Sequence, residues 1–410
     1  MSQAIKASGR ILFSVVKESF ELSNVKFDKN NEDSILVWSD TMKVKYFQTL
    51  KPWQVINRIP YMRTMCRKCP FIRLCYRTAM YFPQLYQFLP KSYILPTEKD
   101  EFYNEFEKSK KNWIYKPDRG ALGHGIKVVH SKEDVPHSSH LALIQEYIDS
   151  YVIDNKKFDL RIYVLILSVN PLRIYVYRGG VARFCSESVG GNSKFSLLTN
   201  TAVNTKNPEA IPDKMTRMVN DVFKELKNKG HDINELWDKI DKAIVLSLIS
   251  SYGFLSKAEE EQCKNYGYSR CFQIIGFDIL LDKKLNPYIL EVNFRPSLKC
   301  NTNNSHNLKL KMLSDAIKIA GAPLKILQEL KETEAFPENP YDFKKFMYEH
   351  KNLIKKMETI QQENEINNGF QKVYPNSKYP IYQSVLESVL EMPVVSTSDY
   401  NLPIEIHRIM

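Results

Sequence analysis

An alternation of apolar and polar residues marks the middle of the chain. Between residues 159 and 169 one set of alternate positions is apolar, comprising Leu160, Ile162, Val164 and Ile166, while the other set holds Asp159, Arg161 and Tyr163. Successive side chains of a strand point to opposite faces, so this pattern predicts a β-strand with one apolar face. The turn-forming pair Asn170-Pro171 then leads into residues 173–177, which predicts a hairpin.

Other apolar runs bounded by polar turns predict strands at residues 35–38, 113–115, 126–129, 143–148, 273–281 and 288–292. Apolar spacing of three and four predicts two helices within residues 213–250, separated by Gly230. A third helix is predicted after Ser305, ending at Gly321 with Pro323 beyond it, and a lysine-rich helix at 342–363. The prolines between residues 82 and 96 predict an irregular connector.

The composition is that of a folded protein, with 43% hydrophobic and 12% aromatic residues among 410. This length predicts about two to three compact units. No run approaches the roughly 18 apolar residues of a membrane-spanning helix, and Glu18 and Glu21 interrupt the N-terminal segment where a secretory signal is apolar. We therefore expect no membrane span and no secretion.

Seven cysteines, an odd number, favour reduced thiols over a disulfide framework. Cys66 and Cys69 have the spacing of metal ligands, but only Cys75 lies near them and no second pair follows, which disfavours structural zinc. The formal charge of +11 predicts a surface that attracts a polyanion. Nucleic acid, anionic lipid and an acidic protein tail all fit that charge.

Two carboxylates and an amide on predicted neighbouring strands are the strongest chemical signal. Glu291 and Asn293 are two positions apart and face the same side, and Asp278 on the preceding strand can meet them. Charged groups on apolar strands need a partner, and ligation by oxygen alone suits Mg²⁺ completed by nucleotide phosphates. A salt-bridged acid is the ordinary alternative for an isolated Asp, but three oxygen ligands on paired strands favour the metal.

Two further patterns are suggestive. Lys116 precedes a loop with Gly120, Gly123 and Gly125, whose backbone can approach phosphates, although no Walker sequence is present and strands flank the loop on both sides. Lys157, Asp159 and Arg161 alternate on one strand face, which either a solvated edge or a binding site can show. Spacing alone gives no role to Arg183, Thr199 or Asn200.

The sequence resembles the tubulin tyrosine ligase-like family, whose members add amino acids to tubulin or other proteins using ATP. The resemblance covers about residues 112–300 and rests on strings that occur in the family's order: WIYKPDRGALGHGI, LIQEYIDSYVIDNKKFDLRIYVLI, RIYVYRGGVARF, LLTN and CFQIIGFDILLDKKLNPYILEVNFRPSL. Fainter likeness upstream, in VWSD, QVINRIP, CRK and FLPKSYILP, is closer to the polyglutamylase branch and makes Cys66 part of a family element.

This resemblance implies an α/β fold of the ATP-grasp type. We expect an N-terminal α/β unit at 1–66, a central ATP-grasp unit with the phosphate loop at 67–148, a C-terminal ATP-grasp unit with the metal site at 149–330, and a basic helical tail at 331–410. The nucleotide is expected between the central and C-terminal units.

The resemblance also implies roles for individual residues. ATP phosphates would contact Lys116 and the loop glycines Gly123 and Gly125, adenine would meet Gln145, Glu146, Tyr147 and Ile148, and the ribose end would be held by Lys157 and Asp159. The catalytic residues facing the reacting carboxylates and γ-phosphate would be Arg161, Arg183, Thr199 and Asn200. Mg²⁺ would bind Asp278, Glu291 and Asn293.

The implied reaction phosphorylates an acceptor carboxylate with ATP and lets the amine of a free amino acid attack the acyl phosphate, so positioning and charge neutralisation perform the catalysis. The expected partners are tubulin or microtubules, through acidic tails, and a free amino acid, glutamate on the polyglutamylase likeness. We expect a monomer without nucleic-acid or membrane partners, in the cytoplasm and on the cytoskeleton, with cilium, flagellum or basal body as candidate sites.

Two departures from the family keep the transferred amino acid open. Leu197 stands where the family usually has His, and Arg295 replaces a usually small residue before Pro-Ser. Transfer of glycine or tyrosine, or a microtubule-binding pseudoenzyme with its lysine-rich helix at 342–363, are the alternatives. Nucleic-acid binding rests on basicity alone, since the interleaving of aromatic and basic residues typical of such modules is missing.

Overall fold

The computed structural model describes residues 4–41, 44–109, 111–120, 123–191, 193–211, 215–264 and 266–393. Its N-terminal residues form a parallel sheet of order β2-β1-β3-β4, with β1 at Ile5–Arg10, β2 at Val25–Phe27, β3 at Leu36–Ser39 and β4 at Val55–Ile56. Helix α1 (Ser14–Leu22) makes the crossover that two parallel neighbours require and buries Val16 and Phe20.

A second sheet is antiparallel, in the order β5-β8-β6-β7, and comprises β5 (Ser92–Leu95), β6 (Trp113–Pro117), β7 (Lys127–Val129) and β8 (Ala142–Glu146). It has a small aromatic core of its own, in which Phe102 and Trp113 are fully buried and meet edge to face. The strand predicted at 113–115 is confirmed and begins at Trp113.

The third sheet is the largest and antiparallel. Its main path runs β12-β11-β10-β13-β14, with β9 added at β10 and β15 at β11. The strands are β9 (Val152–Ile153), β10 (Lys156–Ser168), β11 (Arg173–Phe184), β12 (Thr216–Met218), β13 (Gln273–Leu281), β14 (Pro287–Asn293) and β15 (Phe370–Tyr374). The predicted hairpin is confirmed, since β10 and β11 pair across the Asn170-Pro171 turn.

Helices pack against these sheets. Besides α1 they are α2 (Met62–Met65), α3 (Lys68–Ala79), α4 (Lys99–Lys108), α5 (Lys194–Leu197), α6 (Thr201–Asn204), α7 (Val219–Asn228), α8 (Ile233–Ser250), α9 (Tyr252–Gln262), α10 (Asn303–Thr333), α11 (Pro340–Glu349), α12 (Lys351–Glu365) and α13 (Ile381–Glu391). The apolar face of the large sheet packs on α7 and α8 in the main core. The two helices predicted around Gly230 are confirmed as α7 and α8.

The helix predicted to end at Gly321 continues for 31 residues to Thr333 with Pro323 inside it, so that prediction was wrong. An internal proline costs about 3 kcal/mol in a helix. Here Leu313, Leu324 and Leu327 are buried along one side of α10, in the core that it shares with α1 and β1. Burial of several side chains worth about 1.5–3 kcal/mol each outweighs the proline.

Two other predictions need correction. The helix expected at 342–363 is two helices, α11 and α12, separated at His350. At this break Nδ1 of His350 lies 2.8 Å from the Phe346 carbonyl oxygen. The irregular connector at 82–96 contains β5, which pairs with β8, because Pro96 follows the last ladder residue and removes no donor from the strand.

The basic helical tail is not confirmed. Within the described residues beyond 330, β15 pairs with β11 and so belongs to the large sheet, while α12 packs against α10. The unit boundaries at residues 66, 148 and 330 remain predictions. None of the helices in the described ranges combines the length and the apolar character needed to cross a bilayer.

The buried carboxyl group of Glu259 makes folding stability depend on pH. It accepts hydrogen bonds from Asn170 Nδ2 at 3.0 Å and Ser269 Oγ at 3.4 Å, and burial raises its pKa from 4.5 to about 8. Between these values the folded chain keeps a proton that the unfolded chain loses. The free energy of unfolding should therefore fall as pH rises through this window, by up to about 1.4 kcal/mol per pH unit.

Glu259→Gln is neutral at every pH and should lack this slope, so its stability advantage over the natural chain should grow between about pH 5 and pH 8. Urea unfolding at a series of pH values measures it. Glu260→Gln, on the exposed neighbour, is the control. Parallel pH profiles for all three proteins would contradict the assignment.

Candidate active site

Strand register in the large sheet lines up charged side chains from four strands. Asp159 of β10 lies opposite Arg183 of β11, Arg161 of β10 lies opposite Asp278 of β13, and Asp278 lies opposite Glu291 of β14. Directly opposed residues in a ladder place their side chains on the same face. The alternation seen in the sequence therefore collects the charges on one face and leaves Leu160 and Ile162 for the core.

These side chains form a continuous ion network. Arg183 donates through Nε and Nη2 to the two oxygens of Asp159, both at 2.7 Å, and its Nη2 also lies 2.7 Å from Asp278 Oδ2. Arg161 binds Asp278 in a bidentate manner through Nε and Nη2. Thr199 completes the network by donating its hydroxyl to Asp159.

The network fixes its members in their charged forms. Burial opposes ionisation of Asp278, but the charges of Arg161 and Arg183 hold its pKa well below the usual value. Burial likewise opposes protonation of Arg183, whose pKa is nevertheless raised by Asp159 and Asp278. Neither guanidinium uses Nη1 for a hydrogen bond within the described residues, so each retains donors for a ligand.

Asp278, Glu291 and Asn293 lie together, as their spacing predicted. Asn293 Nδ2 is 3.2 Å from Glu291 Oε1 and 3.4 Å from Asp278 Oδ2. Burial and the charge of Asp278 raise the pKa of Glu291, which marks a place where a cation would be stabilised. The oxygen donors fit Mg²⁺, provided that the Asn293 amide turns to present Oδ1.

A pocket, which we call the inner pocket, lies between the second sheet and the large sheet. The predicted residues that line it are Lys116, Gln145, Glu146, Tyr147, Ile148, Lys157, Asp159, Arg183, Thr199, Asn200, Asp278 and Glu291. Sequence reasoning thus identified most of the polar wall of one cavity.

Two buried lysines enter the inner pocket from opposite sheets. Lys116 Nζ donates to Gln145 Oε1 at 2.6 Å, and Lys157 Nζ lies 3.7 Å from the centre of the Tyr147 ring. Burial lowers the pKa of each lysine to about 8. An anionic ligand would relieve the cost of keeping both charged.

In the loop after Lys116, residues 121 and 122 lie outside the described residues. Gly123 and Gly125 have φ of +77° and +74°, a region that other residues rarely adopt. A side chain at Gly123 would meet Val203 Cγ2 at 2.6 Å, so the glycine allows the loop to approach α6. Neither glycine lines the inner pocket, and their phosphate contact remains a prediction.

A larger basic groove adjoins the inner pocket, and we call it the outer groove. Arg161, Arg183, Asn200, Glu291 and Asn293 line it, and of these Arg183, Asn200 and Glu291 also line the inner pocket, so the two cavities meet there. Its further cationic residues are Arg63, Arg67, Lys68, Arg119, Arg295, Lys299 and Lys309. Such a surface would attract a carboxylate-rich ligand.

Sequence reasoning missed how the start of α3 holds the loop. Arg67 binds Asp118 through two nitrogens, and the backbone N–H of Cys69 donates to the same carboxylate at 2.9 Å. Lys68 Nζ donates to the Gly120 carbonyl at 3.0 Å and lies 3.7 Å from Glu291 Oε2. Lys68 therefore links the loop to Glu291, one of the candidate metal ligands. The CRK string was the available signal, but its partners lie far away in sequence.

Lys309 was also missed. It lies on α10, is 6% exposed and donates to the Lys299 carbonyl while lining the outer groove. Burial lowers the pKa of its amine. On sequence alone it is one of several lysines in an ordinary helical pattern, so no local signal distinguishes it.

A polar pocket between two antiparallel sheets, with paired carboxylates on the larger one, defines an α/β protein of the ATP-grasp class. The profile of the tubulin-tyrosine ligase family matches residues 47–329 of this chain. The chain belongs to the tubulin-tyrosine ligase family.

Several curated relatives are tubulin-modifying enzymes. The chain is 31% identical over 376 residues to a probable beta-tubulin polyglutamylase of Tetrahymena thermophila, covering 85% of this chain and 31% of the relative. It is 33% identical to a tubulin polyglutamylase of Danio rerio, over 70% of this chain and 38% of the relative. Identity to a tubulin monoglutamylase of Homo sapiens is 32%, over 82% of this chain and 30% of the relative. The chain thus spans about a third of the length of these relatives.

The two buried lysines predict pH-dependent binding of a polyphosphate nucleotide. Because their pKa values are about 8, their charges are present below that pH and are lost above it. Affinity for a fluorescent, non-hydrolysable ATP analogue should fall as pH rises from about 7 to 9. Lys116→Met should weaken binding about tenfold at the lower pH and flatten part of the profile.

Lys127→Met, which removes an exposed lysine from β7, is the matched control. Binding that is equally tight in Lys116→Met and in the control would remove Lys116 from the nucleotide site.

Proposed function

We propose that this chain is an ATP-dependent ligase that adds glutamate to glutamate side chains of tubulin C-terminal tails. The observation that carries the proposal is that two cavities meet at Arg183 and Glu291, which line both, with Asp278 on the inner side and Arg161 on the outer side. The inner pocket suits a nucleotide and the basic outer groove suits an acidic peptide. The tubulin glutamylases among the relatives support the same substrate class.

In the first step an oxygen of the acceptor carboxylate attacks the γ-phosphorus of ATP. The bond from that phosphorus to the β,γ-bridging oxygen breaks, and ADP leaves. Lys116 neutralises phosphate charge, Lys157 lies at the ribose end of the nucleotide, and Asp159 holds Arg183 toward the reacting groups. Bound at Asp278, Glu291 and Asn293, Mg²⁺ would supply charge neutralisation for the phosphates.

In the second step the amine of free glutamate attacks the acyl carbon of the acyl phosphate. The carbon–oxygen bond to phosphate breaks, inorganic phosphate leaves and the nitrogen loses a proton, which yields an amide. The free Nη1 groups of Arg161 and Arg183 suit this step, because guanidinium groups bind carboxylate and phosphate oxygens and stay charged. Preorganised donors that need not rearrange during reaction stabilise the developing negative charge.

The amino acid is the less constrained part of the proposal. Leu197 lines the inner pocket with an apolar side chain at the position where the family usually has His. We propose glutamate on the strength of the glutamylase relatives. We also propose that the enzyme acts on cytoplasmic microtubules, including those of cilia or flagella, where acidic tubulin tails are exposed.

Incubation with tubulin, ATP, Mg²⁺ and radiolabelled glutamate should incorporate label, and Glu291→Gln should lower the rate at least about a hundredfold because it removes a metal-facing charge. Glu338→Gln, at an exposed site outside both cavities, should retain the rate of the natural chain. Parallel reactions with labelled glycine and tyrosine test the amino acid.

Label from glycine or tyrosine alone would replace glutamate in the proposal. The absence of incorporation with all three amino acids and every tubulin form, together with microtubule pelleting and no Mg-ATP binding by calorimetry, would instead identify a pseudoenzyme.

A further inference from the structure

A third cavity opens beside the outer groove, and we call it the side pocket. Its apolar wall includes Phe13, Trp38 and Phe272. Its polar wall consists of Asp40, Asn57, Arg58 and Arg295. The side pocket shares Arg295 with the outer groove, so a chain lying in the groove can reach it.

Arg58 is an incompletely partnered buried cation. Its side chain is 13% exposed, and in the described part of the chain its guanidinium makes one hydrogen bond, from Nη1 to the Asn57 carbonyl at 2.8 Å. Five N–H donors leave most of its hydrogen-bonding capacity unused. Burial lowers the pKa of Arg58 to about 10, which reports the cost of keeping this charge in the side pocket.

Asp40 does not neutralise Arg58 well. Its two oxygens already accept from Leu12 N at 2.7 Å and from Trp38 Nε1 at 3.2 Å, and the nearest approach to Arg58 is 3.8 Å. If Asp40 and Arg58 served only to hold β3 against the residues that follow β4, their charged groups would lie within hydrogen-bonding distance of each other. The observed spacing leaves the outer edge of the guanidinium available.

Arg295 brings a second positive charge to the same cavity. Its Nη1 donates to the Asp40 carbonyl at 2.6 Å, and its charge also disfavours the charged form of Arg58. Two guanidinium groups thus face one carboxylate among the lining residues that the structure describes. Like charges held together in a half-enclosed cavity predict an anionic ligand between them.

We propose that Arg58 and Arg295 form a second carboxylate subsite that takes an acidic side chain of the acceptor peptide, next to the glutamate that is modified. This inference rests on the proposed function, which supplies the acidic peptide. Planar guanidinium groups suit a carboxylate, and the apolar wall suits the methylene groups of a glutamate side chain. Arg295 marks this chain off from the family's usual small residue, so the subsite would select acceptor tails with neighbouring acids.

The test measures peptide binding without ATP, so that it is independent of ligation. Anisotropy of fluorescein-labelled hexaglutamate at fixed ionic strength should show about tenfold weaker binding for Arg295→Ser, the loss expected for hydrogen bonds to a charged group. Lys344→Ser removes the same charge from an exposed position on α11, outside all three cavities, and should change affinity by less than about twofold.

Arg58→Met should weaken binding to a similar degree, and the double variant should lose little more than either single variant, because both arginines hold one carboxylate. Thermal unfolding checks each variant. If Arg58→Met does not fold, Arg295→Lys replaces it and should restore only part of the affinity, because ammonium lacks the bidentate geometry.

Free glutamate distinguishes the two sources of a carboxylate. It should compete weakly with the peptide, and equally so in the natural chain and in Arg295→Ser. Competition that depends on Arg295 would assign the side pocket to the free amino acid and overturn the peptide subsite. Equal peptide affinity in Arg295→Ser, Lys344→Ser and the natural chain would also overturn it. A failure of ligation alone, with the binding difference intact, would refute the proposed function and leave the carboxylate subsite standing.

Discussion

The alignment of the large sheet depends on the buried contact between Asp278 and two arginines from neighbouring strands. A carboxylate that is 1% exposed is tolerated only with opposite charges at hydrogen-bonding distance. Those charges are available in one register only, because a slip of one residue would send Arg161 into the apolar core. The network therefore specifies the alignment of β10, β11 and β13, and the two cavities follow from that alignment.

The same contact sets the chemistry. Arg161 and Arg183 are each held through Nε and Nη2, which leaves Nη1 to donate to a ligand. The donors for the proposed ligand are therefore oriented before it binds. Glu291 lies beside this network, and among the described residues it forms no salt bridge with an arginine. Its ion-pair partner is Lys68, whose Nζ lies 3.7 Å from Glu291 Oε2. The site thus combines fully paired charges, which give rigidity, with one incompletely paired acid, which leaves room for a cation.

Sequence reasoning succeeded where one strand carries its own signal. The alternation of Leu160 with Arg161 and the pair Glu291 and Asn293 each determine a face locally, so the charged face of the large sheet was predictable. It failed where partners come from distant segments. Pro323 is tolerated because α10 packs on β1, and Lys68 acquires a role only when α3 meets the loop at Gly120. No local pattern shows such contacts.

The pairing of β15 with β11 has a consequence for the order in which the fold is completed. Ile174 pairs with Tyr374, so part of one edge of β11 is closed by residues that lie far along the chain from it. Closing so long a loop costs conformational entropy before any pairing is gained, and high contact order slows folding. Until β15 is made, residues 174–177 of β11 form an open strand edge, the kind of surface that chaperones shield from aggregation.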